Sequence, residues 1–172
     1  MERYRIEPLS KVHDRGAFSC GVPPLDRYLK KQATQDARRK IATSFVAVGA
    51  DGKTILGYYT LSMAALSLRD LPEDMARKFP SYPSVPAVKL GRVAVAEDKR
   101  GKGLGTRLLM DAMHRVLANE IAWAVFLVDA RDETARTFYL SFGFQSFADH
   151  PKHMFLPRRT IEKAFEEPKR RK

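Results

Sequence analysis

With 172 residues, 44% of them hydrophobic and 30% charged, the chain has enough apolar material for one globular core, which excludes a disordered or fibrous class over most of its length. No apolar run approaches the ~18 residues that span a bilayer, and Met1-Glu2-Arg3-Tyr4-Arg5 lacks a signal-peptide stretch, so no membrane contact and a cytoplasmic location are expected. The net charge is +11; the last five residues carry four of these charges and leave a +7 body suited to nucleic acid, an acidic partner or a phosphorylated cofactor.

Cys20 is the only cysteine, which excludes an internal disulfide or a cysteine metal cluster; it reads as a small buried residue before Gly21, with a reactive thiol as the alternative. After Pro23-Pro24, the spacing of Leu25, Tyr28, Leu29, Ala33 and Ala37 predicts an amphipathic helix over about 24–39. Its other face carries Lys30, Lys31, Arg38 and Arg39, a solvated face or a docking surface.

Thr43 to Val48 and Ile55 to Met63 read as an antiparallel pair around a tight turn at Asp51-Gly52. Four prolines between Arg69 and Pro86 predict a short helix flanked by irregular loop that borders a substrate cleft. Val88 to Val95 is the next strand, and the stripe Leu104, Leu108, Leu109, Ala112, Met113, Val116 and Leu117 predicts a helix of about 103–119. Trp123 to Val128 reads as a buried strand reached by a right-handed crossover. Thr134, Ala135, Phe138 and Tyr139 predict another helix stopped by Gly143, followed by short closing strands at 144–147 and 154–156 and a last helical turn at 162–167. One domain over 1–167 with a basic, disordered tail at 168–172 is expected.

Arg100-Gly101-Lys102-Gly103-Leu104-Gly105-Thr106 enters the 103–119 helix as a glycine-rich turn. Such a turn brings unpaired backbone N–H groups close to phosphate. Its spacing fits neither a nucleoside-triphosphate loop nor a dinucleotide fingerprint. Arg100 suits bidentate contact with phosphate, whereas Lys102 serves through its amide or is simply solvated. The four histidines lack the ligand spacing of a metal site, so no metal is expected.

The Arg-x-x-Gly-x-Gly spacing, preceded by Leu90-Gly91-Arg92-Val93-Ala94-Val95, resembles the coenzyme A motif of the GNAT N-acetyltransferases. The resemblance covers nearly the whole chain and implies an α/β (α+β) GNAT fold, with a mixed central β-sheet splayed at the acetyl-CoA site and flanked by helices. It implies acetyl-CoA as co-substrate, held by main-chain groups of Val93, Ala94 and Val95 and by residues 100–106. Tyr139, in a Tyr-x-x-x-Gly-Phe pattern with Gly143-Phe144, becomes the acid that protonates the departing thiolate; a core tyrosine is the other reading.

Phe18-Ser19-Cys20-Gly21, Leu25-Asp26-Arg27-Tyr28-Leu29 and Gly57-Tyr58-Tyr59 are similar to segments of the tRNA-acetylating toxins within that superfamily. That similarity implies acetylation of the α-amino group of aminoacyl-tRNA, arrest of translation, a ribbon-helix-helix antitoxin partner and a homodimer. Lys30, Lys31, Arg38, Arg39, Lys89, Arg92 and Arg136 are then the candidate tRNA contacts. Two alternatives stay open at this level: a GNAT enzyme acting on a protein N-terminus, a lysine or a small amine, and a non-catalytic cofactor-sensing module.

Overall fold

The computed structural model describes residues 3–79 and 81–166. The expected tail at 168–172 and the end of the expected last turn, Glu167, lie outside the described residues. The strands are β1 (Arg5–Pro8), β2 (Thr43–Val48), β3 (Ile55–Ser67), β4 (Ser84–Val95), β5 (Val125–Asp129), β6 (Gln145–Ser146) and β7 (His153–Pro157). They form a mixed seven-stranded sheet in the order β1-β2-β3-β4-β5-β7-β6. The helices are α1 (Pro23–Arg27), α2 (Ala33–Arg38), α3 (Glu73–Ala76), α4 (Leu104–Leu117), α5 (Glu133–Ser141) and α6 (Arg158–Ala164). Two compact units interleave in sequence, one of 1–62 with 90–115 and one of 63–89 with 116–172.

In the first unit β1, β2 and the first half of β3 run antiparallel, with Val46 opposite Tyr58 and Glu7 opposite Val46. Apolar side chains of β2 and β3 meet Phe18, Tyr28, Leu29 and Ala94 in one core, each burial contributing about 1.5–3 kcal/mol for the larger side chains. Gly57 is required where β3 passes β4: a Cβ there would lie 2.9 Å from the Ala94 carbonyl oxygen and 3.1 Å from Leu108 Cδ1. The β2–β3 connection is wider than the expected two-residue turn. Gly49 N–H donates to the Thr54 carbonyl and Gly52 N–H to the Gly49 carbonyl, while Asp51 accepts from the amides of Lys53 and Thr54.

The expected helix at 24–39 is interrupted by a π-helical turn at Tyr28–Gln32. A π turn adds a residue to the winding and so advances the buried stripe. Ala37, expected inside, is exposed, and Asp36 takes the buried place at 8% exposure. Tyr28 Oη and Gln32 Nε2 donate to its two carboxylate oxygens at 2.8 and 2.9 Å.

In the second unit β5 pairs antiparallel with β7, and β7 with β6. Val125 of β5 and Phe155 of β7 pack in one core with Leu66 of β3, Val85 and Ala87 of β4, and Leu71. β3 runs on to Ser67, past the expected Met63, and β4 begins at Ser84, so its first residues occupy the end of what the prolines suggested was loop. Pro86 is tolerated because its role in the ladder is as an acceptor: its carbonyl takes the Ala124 N–H at 2.9 Å. Asp132 caps α5 by accepting from the Ala135 amide at 2.8 Å. Gly143 ends it with φ at 91°, the stop that the sequence suggested. The last helix starts at Arg158, earlier than expected, and its Arg158 guanidinium lies 4.7 Å over the Trp123 ring.

Candidate functional site

The turn from Arg100 to Thr106 has the geometry of a backbone cradle. Gly101 and Gly103 sit at φ of 74° and 82°, where an L side chain is strained, and a Cβ at either would meet nothing within 4 Å. Their neighbourhood is therefore open, leaving room for a ligand against the main chain. The first hydrogen bond of α4 runs from Arg107 N–H to the Gly103 carbonyl at 3.1 Å. The amides of Leu104, Gly105 and Thr106 precede that bond and point out of the helix start, with its dipole behind them. Lys102 is exposed, while Leu104 is buried and anchors the turn. Upstream on β4, Ala94 is buried in the first unit's core and Val93 and Val95 are half-buried.

Arg100 is exposed, and part of its side chain is engaged by the neighbouring loop. Its guanidinium donates to the Cys20 carbonyl oxygen, and the Glu97 N–H donates to the Ser19 carbonyl at 3.0 Å. Asp26 accepts the Cys20 amide at 2.9 Å. The Ser19–Gly21 loop is thus tied to the residues that precede the glycine turn. One guanidinium nitrogen of Arg100 thus holds the Ser19–Gly21 loop beside the turn. Cys20 itself is 2% exposed and packs in the first unit's core, and burial pushes its thiol up to about 11, away from thiolate character.

The candidate acceptor contacts divide into two groups. Lys30 and Lys31 on the π turn, and Arg38 and Arg39 at the end of α2, are exposed. Lys89, Arg92 and Arg136 are committed within the protein. Lys89 Nζ lies 2.7 Å from Asp129 Oδ2. The Arg92 guanidinium stacks 3.6 Å over the Tyr28 ring, whose hydroxyl is pushed up to about 12 by burial and by its bond to Asp36. Arg136 donates to Ser146 Oγ, the Pro151 carbonyl and Glu133.

Tyr139 lies on α5 and is 6% exposed, edge-on to Phe138 and Phe144 with ring centroids 5.3 and 5.4 Å away. Burial pushes its hydroxyl well above the ordinary tyrosine range, and the charge of Asp129 acts in the same direction. The group is a neutral acid at physiological pH.

Asp129 ends β5 and accepts from two sides. Opposite Lys89, His153 Nδ1 lies 2.6 Å from Oδ1. Burial pushes the Asp129 carboxyl upward, but the bonds from Lys89 and His153 outweigh it and hold the group below its usual range. These three residues line a cleft of ≈ 660 Å³ with Leu66, Leu127, Phe147 and Phe155. Sequence reasoning missed this constellation, because 24 residues separate Asp129 from His153 and only the β5–β7 register joins them.

Residues 42–146 match the acetyltransferase (GNAT) domain. The probable toxin TacT of Sinorhizobium fredii is 35% identical over 166 residues, spanning 91% of this chain and 92% of its own. The chain belongs to the GNAT acetyltransferase family. The GNAT match runs from β2 to β6 and leaves outside it β1, the α1–α2 segment, β7 and α6. The tRNA-acetylating toxin of Mycobacterium tuberculosis is also 35% identical, over 150 residues, covering 86% of this chain and 88% of that protein. Among solved structures, AtaT complexed with acetyl-methionyl-tRNAfMet aligns with a TM-score of 0.87 at 29% identity over 95% of this chain and 100% of that one. An AtaT mutant bound to the C-terminus of the antitoxin AtaR aligns with a TM-score of 0.80 at 26% identity over 95% and 99%.

Proposed function

We propose that this GNAT chain is the toxin of a type II toxin–antitoxin pair, transferring acetyl from acetyl-CoA to the α-amino group of aminoacyl-tRNA and so blocking translation. The observation that carries the donor half is the pair of left-handed glycines with open space above them at the start of α4. The acceptor half rests on the likeness to the tRNA-acetylating toxin and to AtaT with its acetylated tRNA.

The amides of residues 101–106 hold the pyrophosphate, and the main-chain groups of Val93, Ala94 and Val95 hold the pantetheine amides. Acetyl-CoA, when bound, supplies the thioester carbonyl and a leaving thiol. Tyr139 gives its hydroxyl proton to the departing sulfur, a role for which its burial keeps it protonated. An α-amino group titrates near ~8, so it needs little activation compared with a lysine near ~10.4.

Lys30, Lys31, Arg38 and Arg39 supply the sequence-independent phosphate contacts, with Lys89, Arg92 and Arg136 shaping the surface from within. The partner is a ribbon-helix-helix antitoxin, the assembly a homodimer, and the compartment the cytoplasm. Residues 1–167 act as one functional domain. No helix among the described residues is long and apolar enough to cross a membrane.

The test supplies labelled acetyl-CoA with charged tRNA, uncharged tRNA, peptides and polyamines in parallel. Label on charged tRNA alone supports the reading. Label on peptides or polyamines, with charged tRNA left unlabelled, removes it in favour of another GNAT acceptor.

A further inference from the structure

We infer that His153, oriented by Asp129, takes the proton from the acceptor's α-ammonium group, an inference that rests on the aminoacyl-tRNA reading. An ionised carboxylate only accepts hydrogen bonds, so the 2.6 Å contact places the proton of a neutral His153 on Nδ1. Nε2 is left with its lone pair. Lys89, 2.7 Å from the other carboxylate oxygen, keeps Asp129 an anion. The arrangement is that of a base and its orienting carboxylate, with the orienting group itself fixed from a third strand.

The location fits the chemistry. The His153 side chain is 55% exposed and lines the ≈ 660 Å³ cleft, whose apolar wall of Leu66, Leu71, Leu127, Phe147 and Phe155 has room for an aminoacyl group. The charge of Asp129 also disfavours ionisation of Tyr139. The charged and titratable groups that line the cleft with His153 are Asp129 of β5, Lys89 of β4, Arg69 and Asp70 after β3, and Asp149 and His150 before β7. The His150 ring meets that of His153 edge-on at 5.3 Å.

The α-ammonium nitrogen gives one proton to His153 Nε2, which passes it to water. The neutral nitrogen forms its bond to the thioester carbonyl carbon while the carbon–sulfur bond breaks and the electron pair leaves with sulfur. Sulfur takes the Tyr139 proton, and the surplus proton on nitrogen restores that hydroxyl. The products are the N-acetyl amine, the free thiol and one proton released to water.

His153→Asn keeps a donor toward Asp129 and removes the proton-accepting nitrogen. With a hydrolysis-resistant, amide-linked aminoacyl-tRNA, kcat/KM of this variant should be about tenfold below the parent at about pH 7.3, where an amine titrating near ~8 is still mostly protonated. The deficit should close to about twofold at pH 9, where the amine is neutral without help. Asp129→Asn should show the same pH-selective deficit, and the Kd for acetyl-CoA should be unchanged in both. A deficit equal at both pH values, or none in either variant, overturns the inference. Charged tRNA left unlabelled by the parent enzyme would instead overturn the aminoacyl-tRNA reading itself.

Discussion

Removing one oxygen from Tyr139 separates its proton from its packing. Tyr139→Phe keeps the ring contacts with Phe138 and Phe144, so the thermal midpoint and the Kd for acetyl-CoA should stay near the parent values. Turnover should fall about 10²–10⁴-fold, the usual contribution of a positioned acid. Because burial disfavours ionisation of this hydroxyl, its protonated form persists as pH rises. The parent profile should therefore show no alkaline decline from this group below about pH 10, its unperturbed value. A decline that vanishes in the Phe variant would contradict this. Gly103→Ala places a Cβ in the space above the amides at φ 82°, at a conformational cost of about 1–2 kcal/mol. The KM for acetyl-CoA should rise about tenfold or more, the equivalent of ~1.4 kcal/mol of weaker binding, with the KM for tRNA unchanged. At this scale the sequence was informative where chemistry is local: two glycines and a capped tyrosine helix announce themselves over a few residues. The partners of Arg100 and Asp129 did not, because each is brought in by a loop or strand distant in the chain.

Gly57 belongs to the scale of elements, since its missing side chain lets β3 pass the Ala94 carbonyl of β4 and Leu108 of α4. Gly57→Ala should destabilise the protein by about 1–3 kcal/mol, read as a lower denaturation midpoint at unchanged slope. An unchanged midpoint would show that strand and helix yield easily. The long α4 stripe was legible because fourteen residues of regular helix keep one phase. The 24–39 segment was only half legible: the π turn at Tyr28–Gln32 shifts the phase, which periodicity cannot reveal, and Asp36 is buried in place of Ala37. β1, four residues long with only Ile6 and Glu7 partly covered, has too short a pattern to be read, and its place is fixed by pairing with β2. Pro86 misled in the opposite direction, as a proline that serves a strand through its carbonyl.

At the scale of the whole molecule, the charge excess was readable from composition, but its distribution was not. Lys89, Arg92 and Arg136 each meet a partner within the protein, whereas Lys30, Lys31, Arg38 and Arg39 are exposed and are the plainest candidates for the proposed tRNA contact. The kcat/KM for charged tRNA should fall as salt rises. Replacing these four side chains with glutamine should flatten the log–log salt slope by about 0.7–0.9 for each phosphate that is no longer neutralised. A slope identical to the parent would remove this surface from tRNA binding. The same replacement should weaken the hold on an acidic antitoxin segment laid over that face, with a matching fall in the salt sensitivity of its Kd.

The bond from Arg100 to the Cys20 carbonyl, with that from Glu97 N–H to Ser19, ties the glycine turn to residues more than seventy positions upstream. Those residues lie outside the 42–146 span shared with the wider family. A fragment cut to those limits would keep every glycine of the motif yet lose the backing that fixes their angles. Transplanting this turn into another acetyltransferase would therefore require carrying the Phe18–Gly21 loop with it, so that the portable unit is a pair of segments and no contiguous stretch of sequence.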